Sequence, residues 1–327
     1  MFDDTLYSKF IQLSSEKAVK EVFPVFNINE NTPHLLGRSV DGYPVFFIKT
    51  TDIIKTTDIS LELFKVLFNR KCSVANVETE EVSKEQFSII QLNSGEEDLQ
   101  RYFIEVVSLI VFRFTVPPTT QELKSEISKV IELFINPQKL SLDIIKGLWT
   151  ELFVIEQSNN PDFLIKSWHV GINDKYDFND GENKIEVKSS SGPERIHHFS
   201  LEQLNPNNGS ELLIASIITV NSGAGQSIFD LCEKILMRIM DEENGIKLKE
   251  TILTTIGNNV KQVEKVCFDY KLATDSYRLF DYHLVPSINK ANVPLGVNHV
   301  SFRSCLDGIV SIDRKDEHFD NILFKSL

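Results

Sequence analysis

Tyr176-Asp177-Phe178-Asn179-Asp180-Gly181-Glu182-Asn183-Lys184-Ile185-Glu186-Val187-Lys188 is the stretch whose reading decides the fold. The turn signal Asn179-Asp180-Gly181 sits between two short runs that alternate apolar and polar residues, which predicts a hairpin. Side chains two apart on a strand share a face, so Glu186 and Lys188 point one way while Ile185 and Val187 point the other. Asp177, on the first strand or its turn, is carried back beside them by the hairpin. Two carboxylates with a lysine suit a hard, oxygen-ligated Mg²⁺ or Mn²⁺, with the lysine holding or deprotonating an attacking water.

Outward from the hairpin, Leu140–Glu156 reads as a helix with Leu142, Ile145, Leu148, Leu152 and Ile155 on one face. Strands are expected at Ile165–Val170, Lys175–Phe178, Lys184–Ser189, His197–Ser200 and Leu212–Val220, then helices near 226–241 and 247–259. The run Leu212–Val220 is apolar throughout, as a strand buried on both faces should be. Further strands are expected at Phe268–Leu272, Tyr277–Val285, Val297–Arg303 and Gly308–Asp313. Helix, strands, buried strand and helix in that order describe an α/β core with a mixed sheet, α+β over the whole chain.

Towards the N-terminus, residues 1–25 read as helical. Short strands follow at His34–Gly37, Pro44–Ile48, Leu63–Leu67, Ser73–Val77 and Phe87–Gln91, with a turn at Val40-Asp41-Gly42. Helices are expected at about 96–114 and from Thr119 to Phe134, on either side of Pro117-Pro118. The double proline suggests three parts: a β-rich domain over 1–117, a core over 118–260 and a strand-rich extension over 261–327.

The 327 residues are 42% hydrophobic and include 23 Phe, enough for sizeable cores. No basic segment followed by an apolar one opens the chain, and no apolar run is long enough to span a bilayer, so a cytoplasmic protein without a membrane partner is expected. Cys72, Cys232, Cys267 and Cys305 lack metal-ligand spacing and read as reduced thiols. The net charge of −13 counts against a strong nonspecific grip on DNA by the chain alone. Lys184, Lys188, Arg195, His197 and His198 nevertheless gather around the hairpin.

Leu148-Trp149-Thr150-Glu151-Leu152, Trp168, Tyr176-Asp177-Phe178, Ile185-Glu186-Val187-Lys188-Ser189-Ser190 and Arg195–Leu204 together resemble the PD-(D/E)xK nuclease superfamily. More narrowly, they are similar to a prokaryotic family of PD-(D/E)xK motif proteins encoded beside restriction-modification or phage-defence genes. The resemblance covers about residues 140–240. It implies a restriction-endonuclease-like core, a mixed central sheet flanked by helices, and Mg²⁺-dependent (or Mn²⁺-dependent) endonucleolytic cleavage of double-stranded DNA. Asp177 stands at the first acid, with Tyr176 in place of the proline, Glu186 at the second acid and Lys188 at the lysine. Glu151 matches a helical acid that completes metal binding, and Gln203 a glutamine beyond the core motif. Asp177, Glu186, Glu151 and the Val187 carbonyl are then the expected metal ligands, and Arg195 and His197 the phosphate contacts.

The resemblance leaves open helicase, ATPase or methyltransferase subunits as partners, and double-strand cleavage invites a homodimer. A rival is a catalytically silent subunit of the same fold that serves as a DNA-binding or assembly module. Other features carry less. Asn221–Ser227 matches neither a Walker nor a dinucleotide pattern and reads as a strand-to-helix turn capped by Ser and Gln. Trp149 and Trp168 read as core, and His34, His169, His283, His299 and His318 show no ligand spacing.

Overall fold

The computed structural model describes residues 4–14, 22–114, 116–135, 140–169, 174–312 and 319–327. The chain divides into two compact units, Met1–Gln138 and Lys139–Leu327. Among the described residues no helix is long and apolar enough to cross a membrane.

In the first unit, α1 (Asp4–Gln12) precedes β1 (Val22–Asn27), β2 (Leu35–Arg38), β3 (Pro44–Ile48), β4 (Ile59–Ser60), β5 (Phe64–Asn76) and β6 (Val82–Leu92). Two helices follow, α2 (Glu97–Phe112) and α3 (Thr120–Ile135). The sheet order is β1-β2-β3-β6-β5-β4, and β1 also pairs in parallel with β5, so five strands close into a ring with β4 as an appendage. Closure leaves these five strands without a free edge. At Gly37 an added Cβ would meet the Pro24 carbonyl oxygen and Val25 Cγ1, each at 2.8 Å, so only glycine lets β2 lie this close to β1. Val25, Val45, Phe47, Val74 and Phe87 fill one buried cluster. Phe46, Phe64, Phe103 and Phe134 meet edge to face in a second group that joins the strands to α2 and α3.

Two expectations here are corrected. The N-terminal helix ends at Gln12, and Val22-Phe23-Pro24-Val25-Phe26 is a strand; the run is β-prone and Pro24 removes a helical donor. Residues 15–21 lie outside the described segments. The segments expected as strands at Leu63–Leu67 and Ser73–Val77 are one strand, β5, whose register shifts between Leu67 and Arg70, where Asn69 has a φ of 54°. The helix after Pro117-Pro118, α3, belongs to this first unit.

In the second unit, α4 (Leu142–Gln157) and α5 (Pro161–Ser167) lead to β7 (Phe178–Asn179), β8 (Lys184–Ser190), β9 (Ile196–Ser200), β10 (Leu212–Ile218) and β11 (Asn221–Gln226). Next come α6 (Ile228–Leu236), α7 (Glu242–Ile256), α8 (Val260–Val263), α9 (Tyr270–Ser276), β12 (Arg278–Asp281), β13 (Ser301–Cys305) and α10 (Ile322–Lys325). The central sheet runs β12-β10-β8-β7, with β8 and β10 parallel and the outer pairings antiparallel. It is a mixed sheet in an α/β unit, with β9 and β13 forming a separate ribbon. Trp149 of α4 is fully buried, stacks on Phe153 at 5.4 Å, and donates Nε1–H to the Gln226 carbonyl at 2.8 Å. Gly225 lies so close to Phe268 that any side chain there would strike its backbone.

The segment from Ile165, expected as a strand, is the last turn of α5, begun by the Asn160 cap and Pro161 at the first helical position; Val170 lies outside the described residues. Phe268–Leu272 likewise turns into α9, because Asp269 Oδ1 accepts the Leu272 N–H at 2.9 Å and starts the helix. Of Gly308–Asp313, Ile312 makes a single bridge to Leu279, and Asp313 lies outside the described residues. The Asn221–Ser227 segment ends in a capping box, in which Ser227 and Asp230 satisfy each other's backbone N–H groups.

Candidate active site

The hairpin forms as its sequence requires. Asp180 Oδ1 accepts the Glu182 and Asn183 N–H groups at 3.0 and 2.6 Å, and Gly181 takes the positive φ, 101°, that the turn needs. β7 is only two residues long, pairing Phe178 with Ile185 and Asn179 with Lys184. Beyond Ile185 that edge of β8 is left to Asp177, whose Oδ2 accepts the Val187 N–H at 2.6 Å. The N–H and C=O of one strand residue face the same edge, so the Val187 carbonyl faces this edge too. The other edge pairs in parallel with β10, Glu186 opposite Ile214 and Lys188 opposite Ser216.

On the face of β8 that they share, Lys188 Nζ lies 2.6 Å from Glu186 Oε1. Gln203 donates Nε2–H to the same oxygen at 2.5 Å, and its own Oε1 accepts from Lys188 at 3.4 Å and from the Ser200 N–H at 3.0 Å. Lys188 also lies over the Phe199 ring, 5.1 Å from its centroid. Strand β9 and the turn after it therefore fix the motif's acid and base.

Glu151 reaches the site from α4. Its Oε2 accepts Trp168 Nε1–H at 2.7 Å and lies 3.0 Å from His169 Nε2. Trp168 bridges to Phe178 and His169 N–H donates to the Asp177 carbonyl at 2.9 Å, so the chain leaving α5 runs alongside β7. Ligand atoms of Glu151, His169 and Asp177 all lie within 4.8 Å of one another.

The electrostatics are strained in one direction. Burial, reinforced by the charges of Glu186 and Glu151, holds the Asp177 carboxyl well above the usual carboxylate range despite its bond from Val187. Burial also raises Glu186, with Lys188 opposing. Glu186 Oε2 is buried with no hydrogen-bond partner, a costly state for a carboxylate oxygen. Three carboxylates facing one lysine, with a buried oxygen unsatisfied, are the surroundings a divalent cation would relieve. Asp177 and Glu151 offer hard oxygen donors and His169 a nitrogen within one cluster, so these three fit such an ion, with Glu186 outside that group.

The structure thus brings Asp177, Glu186, Lys188, Glu151 and Gln203 together. It gives the two expected phosphate contacts other work. Arg195 donates Nη1–H to the Ser216 carbonyl and Oγ, each at 2.8 Å, and Nη2–H to the Ser276 carbonyl, which ties β9 to β10 and α9. His197 is 2% exposed and bonded to Ser216 Oγ at 2.7 Å; burial, then the charges of Lys188 and Arg195, push it down to about 4. A neutral, buried imidazole has little to offer a phosphate. His169 is the residue that ligand spacing missed.

A family model described as "Putative PD-(D/E)XK family member (DUF4420)" matches residues 25–307. The chain belongs to this family. The match reaches well beyond the hairpin region and takes in most of the first unit. No curated protein and no solved structure matches the chain.

Proposed function

We propose that the second unit is a restriction-endonuclease-like core that hydrolyses phosphodiester bonds of double-stranded DNA endonucleolytically, with Mg²⁺ (or Mn²⁺) as cofactor. The observation that carries this reading is the convergence of Asp177, Glu186, Lys188 and Glu151 on one face and one open edge of β8. Asp177, Glu151, Glu186 and the Val187 carbonyl would hold the ion. When bound, it supplies positive charge to the phosphoryl oxygen and acidifies a coordinated water. Gln203 and Phe199 hold Lys188 Nζ at the rim of the acids, where its charge stabilises the pentavalent transition state or its amine takes the water's proton. Restriction or phage defence in a bacterial cytoplasm, with helicase, ATPase or methyltransferase partners or a second copy of the chain, follows from the family resemblance alone.

The test is plasmid cleavage by the purified chain in Mg²⁺ and Mn²⁺, beside Asp177→Ala and Lys188→Ala. Cleavage should fall by about 10² or more in each variant, and cleavage untouched by both would sink the assignment. A second reading has a specific motive in the net charge of −13: a silent subunit of the same fold that docks DNA or partners while chemistry occurs elsewhere. It predicts no metal-dependent cleavage by wild type under any divalent ion.

A further inference from the structure

We infer that His169 ligates the ion through Nε2, and that this imidazole gives the site a preference for a first-row transition ion such as Mn²⁺ over Mg²⁺. The inference deepens the function proposed above and rests on its cation site. His169 stands within the acid cluster: its Nε2 is 3.0 Å from Glu151 Oε2 and its backbone N–H is bonded to the Asp177 carbonyl. Ligand atoms of His169, Glu151 and Asp177 all lie within 4.8 Å of one another, so one cation could reach all three. A second observation points to a ligand independently. The Glu186 side chain is 4% exposed, and its Oε2 has no hydrogen-bond partner although Glu151 and Asp177 both act on it or feel its charge.

Chemistry then selects the ion. Mg²⁺ prefers oxygen ligands and retains its waters, whereas imidazole binds first-row transition ions more readily than Mg²⁺. A site built of carboxylates alone would show little such bias. Trp168 serves as a positioning residue: its Nε1–H holds Glu151 Oε2, and its bridge to Phe178 brings His169 to the hairpin. To bind, Nε2 must present its lone pair, so its contact with Glu151 is exchanged for the ion and the ring proton sits on Nδ1.

The experiment loads the full chain with Mn²⁺ alone, without DNA, and measures electron spin-echo modulation together with calorimetric titrations of Mn²⁺ and Mg²⁺. Modulation from an imidazole nitrogen is expected in wild type and should vanish in His169→Ala. The Mn²⁺ Kd should rise about tenfold or more in that variant while the Mg²⁺ Kd moves less than about threefold. His169→Gln guards against a folding artefact, and the wild-type spectrum needs no variant at all. Mn²⁺ bound without nitrogen modulation, or equal losses for both ions, would overturn the inference. Cleavage in Mn²⁺ without nitrogen modulation would end this inference and keep the nuclease reading. Nitrogen modulation without cleavage would do the reverse.

Discussion

The hydrogen-bonded acids of the first unit and the clustered acids at β8 in the second are held in opposite ways. In the first, acids are stabilised in the charged form. Asp52 accepts the Thr120 hydroxyl and N–H, Glu122 caps α3 through Thr119, and Glu85 pairs with Lys49, each held below its usual range chiefly by those bonds. In the second, burial holds Asp177 and Glu186 above it. The backbone explains the contrast. A ring of strands leaves no free edge, whereas β7 stops after two residues and abandons the Val187 edge of β8 to an acid. Acids that cap a helix serve stability; acids gathered at an open edge against their own charge form the cation site proposed above.

Substitutions in the two regions should therefore diverge. The largest effect is on chemistry: Asp177→Asn should lower single-turnover plasmid cleavage by about 10² or more, while Asp52→Ala in the first unit leaves the rate within about twofold. Comparable losses from both would erase the contrast. Next comes metal affinity. Trp168→Phe removes the donor that orients Glu151 and should weaken Mn²⁺ binding about tenfold in calorimetry, with the fold intact by circular dichroism.

Stability should then change sign between the units. In chelator near neutral pH, Asp177→Asn retains an acceptor for Val187 N–H and removes a carboxyl that is costly to ionise beside Glu186 and Glu151. It should raise the unfolding temperature by about 2–4 °C, roughly 1 kcal/mol. Asp52→Ala should lower it. The pH dependence follows from the same shifts. A carboxyl raised in the fold keeps protons that the unfolded chain has released, so its contribution is full below the ordinary carboxylate range and is lost as pH rises through the folded value. A cation competes with those protons. Its stabilisation, followed by thermal melts with and without Mn²⁺, should grow as pH rises through that interval and lose this dependence in Asp177→Asn. The smallest effect concerns DNA: Arg195→Gln should lower stability yet leave the salt dependence of DNA binding unchanged. Loss of a true phosphate contact would reduce that slope by about one.

Local periodicity explains what could be read from sequence. Glu186-x-Lys188 follows from the strand's alternation and Asp177 from a hairpin with strong turn signals, whereas Glu151 is implied by the family resemblance. His169 could not be read in this way, since it lies in an irregular segment held by the Trp168–Phe178 bridge. The hydrogen bonds of Arg195 and His197 to Ser216 leave no mark in the sequence, because a basic pair beside a motif looks identical whether it faces solvent or Ser216. In the fold, α5 starts at the Asn160 cap with Pro161 and α9 at the Asp269 cap, where the apolar runs that follow suggest strands. The parallel pairing of β1 with β5 joins residues about fifty apart and leaves no local signature.

The central claim is that the Asp177 cluster is a cation site created at an open strand edge. Calorimetric titration of Mn²⁺ into wild type and Asp177→Asn tests it most directly. A saturable site in wild type that is lost or weakened by about tenfold or more in the variant is the predicted result. Equal binding by the two proteins, or none by wild type, would contradict it.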